Sequence, residues 1–160
     1  MKNATILLEA YPKGKFLTGI ISGALLPGIK MQLQLGTAPV GGRHTFEAYN
    51  PSADNDPRLL AILLEDDLQG VALNTAYTSG RWGRMYDPLI GEEMNVLLKG
   101  QAGTASANAF TIGERLSPIH GTGKYQQQLT SASTADFSSM EHLDEVPNVD
   151  TLCWVIAQAN

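Results

Sequence analysis

Turn-forming residues recur so closely along this chain that they leave room for short strands and at most one short helix. Ile29-Lys30-Met31-Gln32-Leu33-Gln34-Leu35 alternates apolar and polar with period two, which gives a sheet one dry face and one wet face. Pro27-Gly28 precedes it, and the glycine-rich Gly36–Gly42 loop follows. Thr5–Leu8, Phe16–Ile21 and Thr45–Tyr49 read as further strands, and residues 50–57 are dense in turn formers. Leu59–Leu64 is a continuous apolar run that fits a buried strand or one turn of buried helix.

Val71–Tyr77 alternates again, and Ser79-Gly80 turns the chain into Arg81–Tyr86. In Glu92–Gly100, two leading acids, Lys99 and the closing glycine suit a short helix, while Met94, Val96 and Leu98 alternate as in a strand. Residues 101–109 are small and polar, and Phe110–Leu116 reads as strand, turn, strand. After Tyr125 a polar loop or arm is expected at about 126–150, before the apolar Thr151–Ala157 returns to the sheet. No repeat of fixed period is visible. The pattern predicts an all-β chain, a compact β-barrel or sandwich-like domain over residues 1–160 with extended loops or arms.

Composition excludes several classes. No apolar run nears the ~20 residues of a membrane span, and Glu9 interrupts the short apolar start, against a signal peptide. One cysteine, Cys153, allows neither an internal disulfide nor a Cys-rich zinc site. The net charge is −5, and all of it lies after Lys124: residues 1–124 hold 11 basic and 11 acidic side chains, and the remaining five acids have no Lys or Arg among them. Nucleic-acid binding needs clustered cations to displace phosphate counterions, so no direct nucleic-acid partner is expected.

The chemical motifs fail in turn. Gly121-Thr122-Gly123-Lys124 has Pro118 where a phosphate loop needs its first glycine and Tyr125 where it needs Ser or Thr, so it reads as a β-turn. Ser22 is not in a nucleophile elbow. His142 sits among Glu141, Asp144 and Glu145 without a second ligand cluster at partner spacing; a solvated acidic loop is the simpler reading. His44 and His120 flank glycine-rich turns as surface residues, and Cys153 reads as a small core residue. No catalytic residue, metal ligand or cofactor site is expected. What remains is Arg81, Trp82, Arg84 and Tyr86, residue types enriched where proteins meet, and they form the candidate partner interface.

The order of the pieces resembles the cement, or head decoration, proteins of tailed bacteriophages. The residues that carry the likeness are Gly23-Ala24-Leu25-Leu26-Pro27-Gly28 before an alternating strand, Thr75-Ala76-Tyr77-Thr78-Ser79-Gly80, Tyr86-Asp87-Pro88-Leu89-Ile90-Gly91-Glu92-Glu93 running into Met94–Leu98, Ile112-Gly113-Glu114-Arg115-Leu116, and the Gly121–Lys124 turn. They span roughly residues 18–125 plus the closing strand. The resemblance implies a β-rich, non-enzymatic homotrimer that binds the major capsid protein on the outer surface of a virion. It would assemble in the host bacterial cytoplasm and stabilise the head. Two other classes compete. A carbohydrate-binding or adhesin domain would stack sugars on Trp82, Tyr86 and Tyr125. A lipoyl-like barrel module would carry its group on Lys99.

Overall fold

The computed structural model describes residues 5–6, 13–34, 36–51, 61–66, 68, 70–100, 111–128, 135–142 and 150–158. Their regular structure is all strand, with no α-helix among the described residues: β1 (Lys15–Ile21), β2 (Lys30–Leu33), β3 (Thr45–Ala48), β4 (Ala61–Leu63), β5 (Trp82–Asp87), β6 (Glu93–Leu98), β7 (Arg115–Pro118), β8 (Tyr125–Gln127), β9 (Phe137–Ser139) and β10 (Thr151–Ala157). These strands close into two five-stranded barrels, β1-β3-β2-β4-β5 and β10-β6-β8-β7-β9. The all-β barrel expectation holds.

The second barrel repeats the first strand for strand. In each, the first and third strands run parallel and every other neighbouring pair is antiparallel. All five registers coincide when β2 is laid on β7. Ile21–Phe46 falls on Leu98–Tyr125, Leu33–Phe46 on Pro118–Tyr125, and Met31–Ala61 on Leu116–Phe137. Leu63–Met85 falls on Ser139–Val155, and Gly19–Gly83 on Val96–Cys153. Bonds outside the ladders match too. Ser22 N–H to the Phe46 carbonyl corresponds to Lys99 N–H to Tyr125, and Gly28 N–H to Leu63 corresponds to Gly113 N–H to Ser139. Gly28 and Gly113 both have left-handed backbones, with φ of 89° and 91°, at the turn entering β2 or β7. The sequence hides this repeat because the matched residues share only an inward apolar character and the loops between them differ in length.

Several elements differ from the sequence reading. Glu93–Leu98 is strand, because Met94, Val96 and Leu98 point into the second core. Ala61–Leu63 settles the Leu-rich run as strand, residues 59–60 lying outside the described set. Val71–Tyr77 is not a strand: Val71 makes an isolated bridge to Asp66 and Tyr77 makes one to Leu25. The polar stretch after Tyr125 contains β9, whose Phe137 is fully buried. The expected Thr5–Leu8 strand is described only at residues 5–6, which are not strand, and the 101–109 and 143–149 segments lie outside the described residues.

A backbone insertion joins the barrels. In the first barrel, Ile20 N–H donates directly to the His44 carbonyl across the β1/β3 seam at 3.0 Å. In the second, the matching donor, Leu97 N–H, goes to the Gly28 carbonyl at 2.9 Å, and the matching acceptor, the Gly123 carbonyl, receives Lys30 N–H at 2.7 Å. The Gly28–Lys30 segment of the first barrel thus lies between β6 and β8, leaving Leu98–Tyr125 as their direct pairing. A Cβ on Gly123 would collide with the Lys30 carbonyl oxygen, which is why glycine stands there. Ile62, Leu64 and Tyr86 pack with the second barrel's core, and Leu97 with the first barrel's.

The seam is locked by charge. Lys30 Nζ lies 3.0 Å from Asp136 Oδ2, with the two side chains 7% and 0% exposed. The Tyr125 hydroxyl donates to the same carboxylate at 3.1 Å, and the Lys30 ammonium lies 4.2 Å from the Tyr49 ring centroid. A buried pair is weak evidence of net stabilisation but costly to halve, since one partner alone is a stranded charge.

Candidate partner interface

β1 and β5 pair over six rungs, from Lys15–Asp87 to Ile20–Trp82. Alternation sends Phe16, Thr18 and Ile20 outward from β1, with Trp82 and Arg84 outward from β5. The inward rung between them is Gly19–Gly83. A Cβ at Gly19 would meet the Phe46 ring, and one at Gly83 would meet the Ile21 side chain. Those two core side chains occupy the room the glycines leave.

The outer face is aromatic and cationic. Phe16 is 49% exposed and Trp82 46%. The Arg43 guanidinium, from the turn before β3, lies 4.5 Å from the Trp82 ring centroid and donates from Nη1 to Thr18 Oγ1 at 2.6 Å. Arg84 lies 5.8 Å from the Phe16 ring centroid, and Arg81 is exposed beside Trp82. Stacking of this kind contributes about 0.5–1 kcal/mol at an exposed site and holds the arginine planes against the sheet.

Three of the four residues singled out in the sequence, Arg81, Trp82 and Arg84, therefore reach the surface together. Tyr86 does not. It is 1% exposed, with its ring 5.0 Å from Phe16 and its hydroxyl given to Glu92 at 2.7 Å. Alternation alone puts Tyr86 on the outer face, but the second barrel covers that end of it. Phe16, Thr18 and Arg43 were missed because they come from separate segments. The shared parity of Phe16, Thr18 and Ile20 was the signal available for β1.

The remaining polar residues have structural work. Glu92 is buried and accepts from Tyr86 and from the backbone N–H groups of Lys13, Leu89 and Gly14. Burial pushes its pKa up, but the Tyr86 hydroxyl and those N–H groups outweigh it and hold the carboxylate below its usual range. Asp150 feels the same opposition: desolvation raises its pKa, and Lys124 with Gly100 N–H pulls it lower. Lys124 closes the Gly121–Lys124 turn with that carboxylate, in the hairpin between β7 and β8. Cys153 is buried, while His44 and His120 are exposed. No group of three or more potential metal ligands occurs among the described residues, and Asp144 and Glu145 lie outside them. Tyr86 and Tyr125 are both buried, so a sugar would find only Trp82 of the three aromatics named for that alternative. Lys99, the lysine of the lipoyl alternative, is exposed just beyond β6, its N–H donated to the Tyr125 carbonyl.

No protein-family model and no curated protein matches the chain. A solved structure does: the crystal structure of the head fiber gp8.5 N base in bacteriophage phi29, at 8% identity and a TM-score of 0.50, covering 90% of this chain and 93% of that one. The likeness is one of fold.

Proposed function

We propose that this protein is a non-enzymatic structural component of a tailed-phage head, a cement that binds the outer capsid surface where major capsid protein subunits meet. The fold shared with a phage head fiber base carries the reading. The ordered turn motifs support it, as does an exposed Arg–Trp face of the kind that anchors protein contacts. A homotrimer is the assembly proposed, formed in the host bacterial cytoplasm before it joins the virion.

The mechanism is mechanical. Packed DNA strains a shell at its subunit seams, and each bound copy ties neighbouring subunits together. Many modest contacts then act in parallel, so rupture requires several to fail at once. Purified protein added to undecorated shells should bind at a fixed stoichiometry and raise their disruption temperature. Protein that stays in solution, with shells equally stable in its absence, would overturn the proposal.

A further inference from the structure

The internal repeat shows which surfaces a barrel uses to hold another barrel. Within the chain, the outer row Lys30–Ile62–Tyr86 of the first barrel is covered by the second, leaving these residues 6%, 0% and 1% exposed. The matching row on the second barrel is Arg115–Ser138–Ile156, continuing to Glu93. It has no third barrel over it, and none of its four residues is buried. On the opposite side, the second barrel packs on the first through Leu97, with Leu152 beside it. Their counterparts on the first barrel are Ile20 and Trp82, on the exposed face described above. Each partner in the internal contact therefore has a second version of itself at an uncovered end of the molecule.

These two ends are chemically opposite. Around Ile20 and Trp82 stand Arg43, Arg81 and Arg84. Around Ile156 stand Glu93 and Glu141, both bonded to Trp154: the indole N–H donates to Glu93 at 3.1 Å and the backbone N–H to Glu141 at 3.2 Å. Trp154, at the position matching Arg84, is 38% exposed. Arg115 is the cation at the far end of that row. One end presents tryptophan with arginines, the other tryptophan with carboxylates.

We infer that the protein associates head to tail, the Ile20/Trp82/Arg84 face of one copy docking on the Glu93/Trp154/Ile156 face of a second copy. The occupant is another copy of this chain because both halves of a charge-complementary contact are present on one molecule, and the counterparts of both faces lie at the internal junction between the barrels. Opposite charge sets the orientation and disfavours each face meeting itself. Such a contact is heterologous, so its rotation determines whether it closes into a ring. The backbone insertion is not repeated between copies: Ile20 N–H already serves His44, so side chains make the contact. The inference rests on reading the Arg–Trp face as a protein interface, and is independent of which particle the protein serves.

Light scattering across a concentration series, with the full chain, tests it. The wild type should form an oligomer. Arg84→Glu and Glu93→Arg should each weaken association about tenfold or more with unchanged circular dichroism, and the double variant should recover it. A bismaleimide should link Thr18→Cys to Ser138→Cys chains when the two variants are mixed, and neither variant to itself. A wild type that stays monomeric, an oligomer indifferent to both reversals, or Thr18→Cys chains linking to one another would each overturn the inference. Shell binding is scored separately. An oligomer of this geometry that ignores shells would sink the head-protein proposal and leave this one standing, whereas a monomer that decorates shells would do the reverse.

Discussion

At the rung where the first barrel pairs Gly19 with Gly83, the second pairs Val96 with Cys153. The wall is the same and the filling comes from different directions. In the first barrel the Phe46 ring and Ile21 reach across to the bare backbone. In the second, Val96 and Cys153 fill the space locally, and Tyr125, the counterpart of Phe46, gives its hydroxyl to Asp136 beneath the neighbouring barrel. The seams differ as well: the first barrel closes its parallel seam with its own Ile20–His44 bond, and the second incorporates Gly28–Lys30. Strand order and stagger are thus compatible with quite different interiors, provided total volume and polar satisfaction are met.

The sharpest way to break the comparison is at the lock between the halves. Asp136→Ala strands the Lys30 ammonium and should cost about 3–5 kcal/mol in urea unfolding, while replacing both partners with apolar residues should recover most of the loss. Next, Gly83→Val should destabilise by about 1–3 kcal/mol by overfilling the first core. Cys153→Ala at the matching rung should cost no more than about 1 kcal/mol, the scale of a small buried deletion. Equal losses at the two positions would mean that the first core has slack the glycine contacts do not show.

A third test uses pH. Glu92 joins the end of one barrel to the start of the other, and the Tyr86 hydroxyl and backbone N–H groups hold its carboxyl below the usual glutamate range in the folded protein. A lowered carboxylate pKa contributes stability that is complete above the unfolded value and is lost as pH falls through the folded one. The thermal midpoint should therefore drop below about pH 4.5, and Glu92→Gln should flatten that part of the profile. The smallest effect belongs to the outer face: Arg43→Ala removes the stack on Trp82 and the bond to Thr18, and should cost about 0.5–1 kcal/mol of stability.

Four strands were legible and stand almost where the sequence puts them: β2 by its period-two alternation, β10 by its continuous apolar run, and β1 and β3 as short segments between turn formers. β9 was not, because Phe137 is its one large apolar residue and the neighbouring Asp136 is buried by virtue of Lys30, far away in sequence. The repeat was illegible for a related reason. Matched pairs such as Met31 and Leu116, or Phe46 and Tyr125, share a direction and a volume class, which leave no identity to detect. Of the candidate face, composition found Arg81, Trp82 and Arg84. Only tertiary structure could remove Tyr86, since what buries it is a second domain-like unit, and only it could add Arg43, which arrives from another turn.

The Gly28–Lys30 insertion also orders events during synthesis. The N-terminal half emerges from the ribosome first and has every residue it needs to shut its own parallel seam. The C-terminal half has no complete seam of its own, so it must be cast against a template already in place. The earlier half acts as a mould for the later one, and a chain whose two halves were swapped in order would have to make the cast before the mould existed.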